Sequence, residues 1–104
     1  MATIRERVQA GAALLDKVLP DWWDGKETPT VDLEVLDMNS GTMCVLGQCF
    51  GDYRMGCGVV GVPLFENVAS GFIQEVGDDY EELTAAWETE IRNRRKAAGH
   101  GAGE

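Results

Sequence analysis

A chain of 104 residues, 44 % of them apolar, has room for one domain with one modest core and carries too much apolar surface to stay unfolded. Eighteen acidic against nine basic residues give a formal charge of -9. Such a chain repels phosphate backbones and anionic lipid, which argues against direct binding to nucleic acid or membrane and leaves a basic protein as the partner it would attract.

The first element is a helix over about residues 4–19. Thr3 and Glu6 have capping-box spacing, in which each side chain satisfies a free backbone N–H. Ile4, Val8, Ala12, Leu15, Val18 and Leu19 then recur on one face, and Pro20 stops the helix. Asp21-Trp22-Trp23-Asp24-Gly25 reads as a turn carrying two large aromatics. At least one indole is expected to pack back on the core, and because two adjacent indoles are hard to bury together, Trp22 and Trp23 are both candidates for the one left to a partner. Residues 28–38 are ambiguous. Val31, Leu33 and Val35 alternate as in a strand, whereas Asp32 before Leu33 and Leu36 suits one helical turn.

The middle of the chain is glycine-rich, with eight of the 13 glycines between Gly41 and Gly77. Met43, Val45, Leu46, Phe50 and Tyr53 are expected to form a short apolar helix there. Gly56 to Pro63 is expected to be loop or turn, and Phe65 to Phe72 another short helix. The last element is a helix over about 79–97, capped by Asp78 or Asp79, with Tyr80, Leu83, Trp87 and Ile91 on one face. Its early acidic residues (Asp78, Asp79, Glu81, Glu82) and late basic ones (Arg92, Arg94, Arg95, Lys96) complement the helix dipole at both ends.

These elements predict a mainly α fold in which two amphipathic helices pack around a glycine-rich middle. A short β element near Val31–Val35 would make it α+β. The expected organisation is one globular domain over 1–98 with a flexible tail over 99–104.

No sequence motif carries chemistry. Gly56-Cys57-Gly58-Val59-Val60-Gly61 matches G-x-G-x-x-G, but Pro63 follows at once and no strand precedes it, so a cofactor is not expected. Cys44, Cys49 and Cys57, with His100 as a fourth ligand, invite a zinc reading. They lack close C-x-x-C pairing, and packed free thiols are the simpler account. Ser40 and Ser70 stand in no nucleophile-elbow context, and His100 is badly placed to activate a thiol, so enzymatic activity is not expected. An odd cysteine count fits a reducing cytoplasm better than a disulfide framework. The N-terminus lacks the apolar stretch of a signal peptide, and no run approaches the roughly 18 apolar residues of a membrane span.

Charge is the remaining signal. Eight acidic residues and no Lys or Arg lie between Glu66 and Glu90, and seven acidic residues face two lysines between Asp16 and Asp37. If both regions face one way they form a negative patch fit to occupy a cationic groove, with Asp78, Asp79, Glu81 and Glu82 as candidate contacts.

Four groups of residues resemble small acidic accessory proteins of actinobacterial phages, of the mycobacteriophage type. They are Trp22-Trp23; Val31-Asp32-Leu33 with Leu36-Asp37; Cys44-Val45-Leu46-Gly47-Gln48 with Phe50-Gly51 and Tyr53; and Gly71-Phe72 with Tyr80-x-x-Leu83-Thr84-x-x-Trp87, Ile91 and Arg94-Arg95. The resemblance runs from the first helix to Arg95. It implies a viral protein that binds a host protein in the bacterial cytoplasm, and it supplies no catalytic residue. A self-associating structural or accessory protein, acting as a homodimer, is the alternative, with a small metal-binding protein behind it.

Overall fold

The computed structural model describes residues 3–26, 30–63, 68–74 and 79–98. Within them the chain forms four helices and no strand: α1 (Ile4–Val18), α2 (Val45–Phe50), α3 (Tyr53–Val60) and α4 (Tyr80–Ala97). The fold is mainly α, and the α+β alternative is set aside.

α1 starts as its sequence requires. The Thr3 hydroxyl accepts from the Glu6 N–H, and the Thr3 N–H donates to the Glu6 carboxylate, both at 3.1 Å. It ends one residue before the expected Leu19, which is the C-cap. Val8, Ala12 and Leu15 are buried as the periodicity predicts, but Val18 is exposed. α4 buries Leu83, Trp87 and Ile91, and Asp79 caps it by accepting from the Glu81 N–H. The two long helices pack on each other, α1 also touches α3, and α2 packs on α3.

The core between them is aromatic. Trp87 stacks on Phe72 (centroids 5.5 Å apart, 14° between planes) and meets Trp22 edge-on (5.7 Å, 80°). Both indole N–H groups are satisfied, Trp87 by the Gly71 carbonyl at 2.6 Å and Trp22 by Asp16 at 3.0 Å. A buried indole needs such a partner, because an unpaired N–H in the core costs about 1–3 kcal/mol.

Two sequence expectations are corrected, and the open choice over residues 28–38 is decided against a strand in its described part. Residues 33–35 form a turn. Val31, Leu36 and Met38 point inward while Val35 is exposed, and the Asp32 carboxylate accepts from the Glu34 N–H in a local turn. Gly56 to Val60 is helix and not loop. The Asp52 carboxylate caps α3 on the Met55 N–H, Gly56 lies against Leu46 of α2, and Gly61 ends the helix in the left-handed conformation (φ 78°). The G-x-G-x-x-G spacing therefore records a helix–helix contact and a C-cap. Val68–Ser70 is turn, so the described part of the helix expected over Phe65–Phe72 is absent; residues 64–67 lie outside the described residues, as does the tail over 99–104. The short apolar helix is present as α2, with Met43 exposed before it and Tyr53 opening α3.

Candidate functional site

Glu81, Thr84, Ala85 and Glu88 recur at i, i+3, i+4 and i+7, which places them along one face of α4. Opposite this face stands the turn holding Leu36, Asp37 and Asn39. The Thr84 hydroxyl accepts from the Met38 N–H at 2.9 Å and fixes that turn to the helix across 46 residues of sequence. Together with Asp79 and Tyr80 these residues bound a concavity of about 650 Å³. Among the described residues four carboxylates line it (Asp37, Asp79, Glu81 and Glu88), and no Lys or Arg does.

The condition set by the sequence, that the two acidic regions face one way, is met in part by this groove. Asp37 comes from the first region and the other three carboxylates from the second. Local hydrogen bonds tie down one oxygen of Asp37, on the Asn39 N–H, and one of Asp79, on the Glu81 N–H. Glu88 pairs with Arg92 one turn further on at 3.0 Å, an exposed contact of small energetic weight. The N-terminal end of α4 adds about half a positive charge, which four carboxylates outweigh.

The remaining acidic residues divide between structure and other surfaces. Asp16 holds Arg94 through two hydrogen bonds of 2.6 and 3.0 Å, and Glu90 holds the same guanidinium at 2.7 Å. Burial pushes the Asp16 carboxyl up, but the hydrogen bonds from Arg94 and Trp22 and the Arg94 charge outweigh it and hold it below the usual aspartate value. Burial disfavours the charged Arg94 in turn, and its two carboxylate partners overcome this and raise it. Arg95 donates to the Trp23 and Val31 carbonyls, so the late basic residues of α4 also serve the fold. Asp32 and Glu34 border a second concavity, next to Lys26 and Arg95.

Of the residues singled out in the sequence, Asp79 and Glu81 line the groove. Glu82 is exposed but lies off the groove face of α4. Asp78 lies outside the described residues. Trp22 is corrected: it is completely buried and has no face left for a partner. Trp23 stays half-buried, with its carbonyl held by Arg95. Asp37, Asn39, Tyr80, Thr84, Ala85 and Glu88 were not anticipated. The spacing of Glu81, Thr84, Ala85 and Glu88 marks the helical bank of the groove in the sequence, whereas nothing local places Asp37 opposite them.

The three cysteines are buried and joined in no disulfide among the described residues. Burial pushes the Cys44 thiol up, and pushes Cys49 up to about 12, so both are protonated and poorly nucleophilic at neutral pH. Cys44 has a structural task as the N-cap of α2, its sulfur accepting from the Gly47 N–H at 3.2 Å. Among the described residues no group of three or more His, Cys, Asp or Glu is arranged to hold a metal ion, and no helix is long and apolar enough to cross a membrane.

Comparison of the chain with protein-family models, curated proteins and solved structures finds no match.

Proposed function

We propose that this is a non-catalytic, phage-encoded protein that binds a host protein through the acidic groove between α4 and the turn at residues 36–39. The supporting observation is the convergence of Asp37, Asp79, Glu81 and Glu88 on one concavity with no Lys or Arg among its described lining residues. A surface of this kind attracts a basic partner, including a protein that itself binds nucleic acid, and steers its approach. The phage origin rests on the sequence resemblance, as does the bacterial cytoplasm as the place of action.

The test is an affinity pull-down from actinobacterial lysate with the wild-type chain and a Glu81→Lys/Glu88→Lys variant, at low and high salt. A basic protein enriched over a charge-matched control, lost at high salt and lost in the variant, is the expected result. Enrichment no greater than the control overturns the reading.

Self-association is the second reading. It draws on Met55 and Val59, which stand one turn apart on α3 and are 60 % and 48 % exposed. No acidic residue interrupts residues 53–63, so this is the face on which two copies of an acidic chain would repel least.

A further inference from the structure

Beside the acidic groove lies a smaller, apolar recess of about 170 Å³. Met38, Tyr53, Phe72, Ile73 and Tyr80 form most of its lining. Asn39 and Tyr80 border both spaces, so the recess opens alongside the carboxylates. Its base is core: Phe72, Cys44 and Met38 are 1, 2 and 4 % exposed. Tyr53, Ile73 and Tyr80 are half-buried and form the walls. Side chains fixed by core packing do not collapse into such a space, which leaves room for one aliphatic side chain.

We infer that this recess is a specificity pocket, and that the occupant is a segment of a partner protein in which a leucine, isoleucine or methionine stands beside a lysine or arginine. The inference rests on the acidic-groove reading and adds what that groove recognises. Charge decides the occupant. A phosphate-bearing or acidic ligand that entered the recess would meet the carboxylates at its rim, whereas a cationic neighbour would be drawn to them. Two adjoining compartments of opposite chemistry read adjacent side chains on one chain, the apolar one supplying affinity and the charged rim fixing orientation.

Ile73 is half-buried and forms part of a wall, so changes there alter the recess itself.

The experiment measures binding of two short, amidated, lysine-rich peptides, identical except for a central leucine or alanine, by fluorescence anisotropy at low salt. Wild type binds the leucine peptide about tenfold more tightly, the effect of burying one aliphatic side chain. Ile73→Ala, which removes part of a wall, reduces the leucine preference, and Ile73→Ser, which also makes that wall polar, reduces it at least as much. Equal binding of both peptides to wild type, binding of neither, or a leucine preference unchanged in both Ile73 variants overturns the pocket. If any of these results accompanies salt-dependent lysate capture that is lost in Glu81→Lys/Glu88→Lys, the recess fails and the groove reading stands. If capture is absent too, both fail.

Discussion

At the scale of single residues, close approach decides more than conformational preference. Gly11 lies inside α1, where alanine would gain about 1 kcal/mol of helix propensity. A Cβ at this position would press into the Ser70 carbonyl oxygen and come within 3.1 Å of the Trp87 ring. The carbonyl belongs to a turn held against the helix and has little room to retreat. Overpacking of this kind costs about 1–3 kcal/mol and exceeds the propensity gain. Gly11→Ala is expected to lower the thermal unfolding midpoint by several degrees, measured by circular dichroism; an unchanged or raised midpoint would show that the turn at 68–71 yields freely. The same reasoning explains why the glycine-rich middle was hard to read. Glycine marks both loops and tight helix contacts, and nothing near Gly56 in the sequence shows that Leu46 will lie against it.

The two long helices were legible because each carries its own instructions. Capping residues, a 3.6-residue stripe and dipole-matched charges all lie within a few positions of one another. The contacts that join them were not, because they pair residues 78 positions apart. Arg94 reaches from α4 to Asp16 on α1 and lies 5.3 Å from the centroid of the Trp22 ring, whose N–H also meets Asp16. Asp16 is 41 % and Arg94 24 % exposed, so water screens part of this cluster. Asp16→Ala is expected to cost about 1–2 kcal/mol at neutral pH. The sign of its pH dependence follows from the lowered carboxyl. Asp16 holds fewer protons in the folded chain than in the unfolded one, so its stabilisation is complete above its ordinary value of 3.8 and disappears as pH falls through the lowered one. Urea unfolding of wild type and Asp16→Ala at neutral pH and at about pH 2 should show a gap that closes in acid. A gap of constant size would assign the loss to packing alone.

For the whole molecule, the balance of charge and apolar surface bears on whether two copies join. Met55 and Val59 are the neighbouring exposed apolar pair on α3, and two side chains fall far short of the roughly 800 Å² per partner of a stable interface. Each copy also carries a net charge of -9, which opposes association at low salt. A sedimentation mass of 11.3 kDa is therefore expected at micromolar concentration. Twice that mass would favour the self-association reading over the groove. Composition alone gave the acidic character of the chain, but not its distribution. Asp16 and Glu90 are spent on Arg94 inside the fold, while Asp37 joins Asp79, Glu81 and Glu88 only because the turn at 36–39 folds back onto α4.

That turn is held by the Thr84 hydroxyl on the Met38 N–H. The bond has a thermodynamic consequence. With its two banks tied together before any partner arrives, the groove has little conformational freedom to lose on binding, and the entropy of ordering falls on the incoming segment. Affinity should then respond more to stiffening the partner than to any change that stiffens this protein.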